Sequence, residues 1–276
     1  MPHINPEKVA TYIREVAADK ILPRWQQLAK HEISTKSGPT DLVTVADLEA
    51  EKDLTHIFKD IIPGSYVLGE EAVSKKETDI GLLGSEEGYV WVIDPVDGTL
   101  NFAEGRERFG TIVALAHKGE IIQGWILDIP QDRMAVGEKG SGVQLNGKRT
   151  TYPTMNKSLH DTRGFISRKF LPPKMREELK PVIEAEFGNV ETYLCCAHEY
   201  LDILAGQAHF SMYSRIRPWD HQAGAMMMRE AGGYVRKWDG SEYRAGDQRG
   251  GIICTPNENV WSEIYGRLLA DYIKAA

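Results

Sequence analysis

Trp91-Val92-Ile93-Asp94-Pro95-Val96-Asp97-Gly98-Thr99-Leu100-Asn101-Phe102 is the stretch on which the reading of this chain turns. An apolar run reads as a strand, and it delivers two carboxylates three positions apart across a proline, followed at once by glycine and a hydroxyl. Asp94 and Asp97 are hard oxygen ligands of the kind magnesium prefers. Pro95 stiffens the turn, and Gly98 lets backbone N–H groups approach an anion closely. Thr99 stands where a hydroxyl orients a nucleophilic water.

Working outward, short β-rich runs are expected at Tyr66 to Leu68, Tyr89 to Asp94, Thr111 to Ala116, Ile121 to Leu127 and Arg133 to Val136, with a hairpin turn at Lys118-Gly119. Two helices precede them. The first runs from Glu7 to about Leu28 with Pro23 interrupting it; the second follows Asp41 and has Leu48, Leu54, Ile57, Phe58 and Ile61 on its apolar face. The polar stretch His31 to Asp41, with Gly38-Pro39, reads as a mobile loop.

Beyond Asn146-Gly147 the pattern changes to alternation. Strands are expected at Thr162 to Ser167, Val190 to Leu194 and His209 to Tyr213, with helices at Pro173 to Glu186 and Cys196 to Ala205. A helix from His221 to Ala231, ended by Gly232-Gly233, precedes strands near Tyr234 to Trp238 and Gly251 to Cys254 and a last helix from about Asn259 to Ile273. The fold class is thus α+β passing into α/β, with an N-terminal unit 1–146 and a C-terminal unit 147–276.

With 276 residues, 42% of them hydrophobic, the chain can bury one large core or two moderate ones. Its net charge of −7 argues against nucleic acid or an anionic membrane as partner, because both are bound through basic stripes. No apolar run approaches the roughly 18 residues needed to span a bilayer, and Met1 to Lys8 lacks the pattern of a secretory signal. Three cysteines, two of them adjacent as Cys195-Cys196, make no even disulfide framework and point to the cytosol. Cys254 and Met226-Met227-Met228 read as core packing.

Three more segments carry residues that complement the first. Glu70-Glu71 follows the run ending at Leu68, Asp47 opens the second helix, and Trp219-Asp220 opens the helix ended by Gly232-Gly233, where Asp220 serves as an N-cap or aims at a cation. In their order and spacing, Asp47, Glu70-Glu71, Asp94-Pro95-Val96-Asp97-Gly98-Thr99 and Trp219-Asp220 resemble the lithium-sensitive inositol monophosphatase family over essentially the whole chain. Lys36 ahead of Asp41-Leu42-Val43-Thr44, and Gly137 through Asn146-Gly147-Lys148, fit the same resemblance.

The resemblance implies a layered αβαβα sandwich of the sugar-phosphatase type and a Mg²⁺-dependent phosphomonoesterase acting on a small phosphate ester, working as a cytoplasmic homodimer and inhibited by lithium. It implies that Glu70, Asp94 and the Val96 carbonyl hold one Mg²⁺, that Asp94, Asp97 and Asp220 hold a second, and that Glu70 and Glu71 hold a weaker third. Thr99, backed by Asp47, would orient the attacking water, so that Asp47, Glu70 and Thr99 are the catalytic set. The Gly98 and Thr99 amides would hold phosphate oxygens. Lys36, Glu71, His221 and Arg217 are left without an assigned role, His221 being read as facing solvent or backing the site.

Substrate recognition departs from the family. A Gly-Ser/Thr-Ala-Ala stretch is matched here by Leu194-Cys195-Cys196-Ala197, and the inositol-binding glutamate by Tyr213. Cys196, Tyr213 and Arg215 are therefore the candidate substrate residues. Arg215 and Arg217 would suit a substrate with a second anion, or else lie at the surface or a dimer interface. Inositol monophosphate or a related sugar or polyol phosphate is the leading substrate. A 3'(2'),5'-bisphosphate nucleotidase, a histidinol-phosphate phosphatase and a non-catalytic protein-binding scaffold are the alternatives.

Overall fold

The computed structural model describes residues 4–38, 41–84 and 88–273. In chain order it holds α1 (Pro6–Val16), the hairpin β1 (Ile33–Gly38) and β2 (Asp41–Thr44), α2 (Val45–Ile61), β3 (Tyr66–Gly69), α3 (Glu70–Ser74), β4 (Tyr89–Asp97) and α4 (Thr99–Ala103). The meander β5 (Gly110–His117), β6 (Glu120–Asp128), β7 (Arg133–Glu138), β8 (Gly142–Leu145) and β9 (Lys148–Thr150) follows. Then come β10 (Arg163–Ile166), α5 (Pro173–Glu186), β11 (Asn189–Glu191), α6 (Cys196–Leu204), β12 (Phe210–Tyr213), α7 (Pro218–Glu230), β13 (Tyr234–Lys237), β14 (Ile252–Thr255), α8 (Glu258–Leu268) and α9 (Ala270–Ile273).

Five layers result, as expected for the αβαβα sandwich. The larger sheet has seven strands in the order β3-β4-β5-β6-β7-β8-β9, and the smaller has five in the order β11-β10-β12-β14-β13. One face of the large sheet, with Trp91, Ile93, Val113, Leu115 and Trp125, packs on Ile13 of α1 and on Leu54 and Phe58 of α2. Phe58 stacks on Trp91 with ring centroids 4.3 Å apart. Alternate residues of the same strands, Val90, Val92, Ile112 and Ala114, face Tyr200 of α6 and Ala223 and Met227 of α7. Those two helices also cover Phe165, Val235 and Cys254 of the small sheet, whose far face packs Ile166, Phe210 and Ile253 on α5 and α8. Met226, Met227, Met228 and Cys254 are core residues, as their apolar character requires. Position 146 lies between β8 and β9, which pair in the same sheet.

Several local expectations are corrected. The stretch His31 to Asp41 is not a plain loop: Ile33 pairs with Thr44 and Thr35 with Leu42 in a two-stranded ribbon, whose residues 39–40, Pro39 included, lie outside the described ones. A ribbon with little core of its own leaves no apolar alternation to read. The first helix ends at Val16, passes through a π turn at Ala17–Ile21 and closes in a 3₁₀ turn containing Pro23. The strand through Asp94 does not stop there but runs to Asp97 through a bulge, since Asp94 pairs with Ile112 and Asp97 with Gly110. The expected strand Val190 to Leu194 ends at Glu191, because Leu194 turns back with φ +55°. The last helix breaks at Leu269. The helix ended by Gly232 begins earlier than expected, at Pro218, which has no N–H to leave unpaired at a first turn.

Candidate active site

Strands β3 and β4 run parallel, Gly69 opposite Ile93, as do β10 and β11 and β10 and β12. Ligands of such sheets bind where parallel strands end, since the chain leaves the sheet there with unpaired groups and free side chains. These carboxyl ends meet at one open cavity of about 130 Å³, lined by Glu70, Asp94, Val96 to Leu100, Ser167, Lys169, Phe170, Thr192, Leu194 to Cys196, Glu199, Tyr213, Arg215 and Asp220, among others. With a water occupying about 30 Å³, that space suits a phosphate group and a few waters.

The acidic residues converge. Oxygens of Glu70, Asp94 and Asp220 lie within 4.8 Å of one another. Asp94 Oδ1 is buried without a hydrogen-bond partner. Burial first, and then Glu70, Asp97 and Asp220, push Asp94 well above the ordinary carboxylate range. Asp220 rises for the same kind of reason, with burial and Glu70 foremost. Of the three acids, Lys36 pairs with Glu70 alone, so Asp94 and Asp220 stay unfavourably close until a further cation joins them. Three hard oxygen donors, one of them orphaned, thus fit a divalent ion of the magnesium class.

Asp97 takes a different orientation. Its Oδ2 accepts from the Ala197 N–H at 2.5 Å and lies 3.2 Å from the Cys195 thiol, at the start of α6. Burial lifts its pKa to about 6 against those bonds. It lines the same cavity but stands outside the close trio. Asp220 is not an N-cap: Arg217 holds the cap position of α7, and Asp220 lies in its first turn.

Asp47 and Thr99 are in contact. Thr44 caps α2, its hydroxyl accepting from the Asp47 N–H, and in return it donates its N–H and hydroxyl to Asp47 Oδ2, at 2.8 and 2.5 Å. The Thr99 hydroxyl is 2.9 Å from the Val96 carbonyl and 3.4 Å from Asp47 Oδ1. Burial raises Asp47 to about 7. Gly98 precedes Thr99 with φ +84°, a conformation suited to glycine, and a Cβ there would sit 2.7 Å from the Arg108 carbonyl.

Lys36 reaches across from the hairpin to Glu70 and Glu71, 2.8 and 2.5 Å away. His221 does not face solvent. Its Nε2 donates to the Arg215 carbonyl at 2.9 Å and its Nδ1 accepts from the Tyr200 hydroxyl at 3.1 Å, a neutral ring held near pKa 3 by burial. Cys196, Asp220 and His221 also lie within 4.8 Å, yet both ring nitrogens are engaged, so His221 supports the loop rather than a metal. His198 turns to the Phe109 carbonyl and Asp128, away from both cysteines, and burial pushes the two thiols well above their usual range. Neither thiol is set up as a nucleophile. Arg217 is exposed.

Other residues at the site had gone unread. Glu51 accepts the Glu71 and Ala72 N–H groups, each at 2.8 Å, and so holds the start of α3. Its place one turn after Asp47, on the buried face with Ala46 and Ala50, was the available signal. Glu199 is buried, pushed to about 7 by burial, and accepts from Thr192 and from the Tyr193 N–H. Lys169 and Phe170 come from the loop after β10, where only strand position could have placed them.

Comparison with known proteins agrees with this geometry. A profile described as the inositol monophosphatase family matches residues 6–273. The chain belongs to the inositol monophosphatase family. The inositol-1-monophosphatase of Bacillus subtilis (strain 168) is 29% identical over 238 residues, 82% of this chain and 87% of that one. The Nus factor SuhB of Vibrio cholerae is 26% identical over 235 residues, 82% of each chain. Among solved structures, an IMPase from Thermotoga maritima has the same fold with a TM-score of 0.80 at 24% identity, covering 95% of both chains. The extragenic suppressor protein SuhB of Bartonella henselae gives 0.79 at 25% identity, covering 95% of this chain and 99% of that one. As a member of the inositol monophosphatase family, the chain is a phosphoric monoester hydrolase.

Proposed function

We propose that the chain is a Mg²⁺-dependent phosphatase of a small phosphate ester, inositol monophosphate or a related sugar or polyol phosphate, acting through an activated water. The observation that carries this reading is the convergence of half-buried Glu70 and Asp220 on buried Asp94, with its unpartnered oxygen, in the cavity that Thr99 also lines.

Glu70, Asp94, Asp220, the Val96 carbonyl and Asp97 would hold two ions, and Glu70 with Glu71 a third. Bound there, Mg²⁺ supplies a nucleophilic water at neutral pH and neutralises charge on the phosphoryl and leaving oxygens. The chain's own residues do the positioning. Thr99 commits its proton to the Val96 carbonyl or Asp47, leaving oxygen lone pairs to accept from a water and orient it. The Gly98 and Thr99 backbone lines the cavity where a phosphate would lie. Tyr213 brings a buried hydroxyl to the wall facing the alcohol, and Cys196 a small side chain. The family resemblance adds lithium inhibition, a homodimer and a cytoplasmic setting; three unpaired cysteines suit that setting, and no helix among the described residues is long and apolar enough to cross a membrane.

Phosphate release from inositol 1-phosphate, 3'-phosphoadenosine 5'-phosphate, histidinol phosphate and fructose 1,6-bisphosphate, with Mg²⁺ and then with Li⁺, tests the reading. Metal-dependent turnover sensitive to Li⁺ supports it. No turnover of any of them leaves the protein-binding scaffold, a reading kept in view by relatives named as Nus factors.

A further inference from the structure

We propose that the alcohol portion of the substrate carries a second anionic group, a carboxylate or a phosphate, which Arg215 and Lys169 receive at the mouth of the cavity. The inference rests on the phosphatase reading above and narrows it to a class of ester.

The mouth is built by neighbouring strand ends. β10 and β12 pair in parallel up to Ile166 and Met212, and both chains then leave the small sheet side by side. The Ser214 hydroxyl donates to the Ser167 carbonyl at 3.2 Å, and His221 donates to the Arg215 carbonyl at 2.9 Å, so the two loops are tied together. Arg215 then lays its guanidinium over the Phe170 ring, 3.6 Å from its centroid. Stacking fixes the plane of the fork while leaving its edge donors available for a planar or tetrahedral anion. One donor is conspicuous, since Arg215 Nε is buried without a hydrogen-bond partner. That nitrogen is sealed from solvent, so an anion in the cavity would meet the terminal amino groups of the fork instead.

Lys169 stands beside it. Burial and Arg215 draw its ammonium below the usual range despite the opposing pull of Asp41, which lines the same cavity. Lys169 and Arg215 thus place two cations side by side on the wall of a cavity otherwise lined by acids. Phe170 and Leu194 are 40% and 37% exposed at the same opening, an apolar ledge for the carbon skeleton between the two anions. Lys169, Phe170, Leu194 and Arg215 line the same cavity as the acidic trio, so an ester whose phosphate lies at the trio meets them with its remaining part.

Matched esters test this: glycerol 2-phosphate against 2-phosphoglycerate for a carboxylate, and fructose 6-phosphate against fructose 1,6-bisphosphate for a phosphate. With Mg²⁺, kcat/KM should be at least about 10-fold higher for the doubly anionic member of one pair, and the pair that shows it identifies the anion. Arg215→Gln should then lower kcat/KM for that member about 10- to 100-fold more than for its partner. Lys169→Gln gives the same read-out if the first variant fails to fold. Equal kcat/KM within both pairs, or variants that slow both members alike, would overturn the subsite. Thermal shifts with the same four esters separate the two readings: without turnover, a larger shift with the doubly anionic member that Arg215→Gln abolishes keeps the subsite and sinks the phosphatase, and no differential shift sinks the subsite.

Discussion

Gly69 gives up its Cβ to the carboxylate of Glu51: a methyl group built at Gly69 would lie 2.2 Å from the Glu51 carboxyl carbon. That carboxylate caps α3 through the Glu71 and Ala72 amides, and α3 opens with Glu70, a member of the acidic trio proposed to hold metal. Partners of this kind set the orientation of metal ligands. Glu51→Gln, which keeps the size but weakens the acceptor, should cut apparent Mg²⁺ affinity about 10- to 100-fold with little change in kcat at saturating metal. Gly69→Ala should do the same and lower Tm. Titrating activity with Mg²⁺ checks both, and unchanged metal dependence would detach Glu51 from the site.

Asp94→Asn separates activity from stability. It should lower kcat/KM by about 10³-fold or more, as loss of a shared metal ligand with no substitute. It also removes a buried acid crowded by Glu70, Asp97 and Asp220, so the metal-free variant should be at least as stable as the native chain at pH 7.5. Paired kinetics and thermal denaturation without metal decide this, and a large fall in Tm would contradict the picture of stored repulsion.

Asp97 links pH to metal. Burial raises its folded pKa from 3.8 to about 6, so the metal-free folded protein retains a proton that the unfolded chain has released. Its contribution to stability is therefore full below pH 3.8 and is lost as pH rises through about 6. Cation binding needs the ionised form and runs the opposite way. Stabilisation by Mg²⁺ should be larger at pH 7.5 than at 5.5, and calorimetry at pH 6 in two buffers of different ionisation enthalpy should show proton release. Binding without proton release would refute the linkage.

Tyr213→Phe isolates one hydroxyl. It is buried against His221, ring centroids 4.5 Å apart, and faces Glu199, whose pKa it draws down. Stability should fall by about 1 kcal/mol, because at most one long hydrogen bond, to Glu199, is lost. KM should rise several-fold with kcat preserved if the hydroxyl meets the substrate alcohol. A KM equal to that of the native chain would make Tyr213 a packing residue only.

The acidic motif was readable because its information is local. An apolar strand with Asp94-Pro95-Val96-Asp97-Gly98-Thr99 at its end announces itself by composition, and Glu70 by following a second strand. Glu51 was missed because a buried acid on a helix looks like a surface acid until its neighbours are known. The burial of His221 was missed likewise, since polar residues in a first helical turn normally face water. The hairpin around Lys36 has no apolar alternation, so only its pairing with Asp41–Thr44 reveals strands.

The sequence by itself determined the family, most of the helices and strands, and the acids proposed to hold metal, because periodicity, turn residues and short motifs act over a few positions. Which residues share a cavity was decided only by tertiary structure. Parallel pairing of β3 with β4, and of β10 with β11 and β12, brings segments 24 to 46 positions apart to adjoining strand ends. Pairing register, set by packing over the whole sheet, is what turns separated acids and cations into one site.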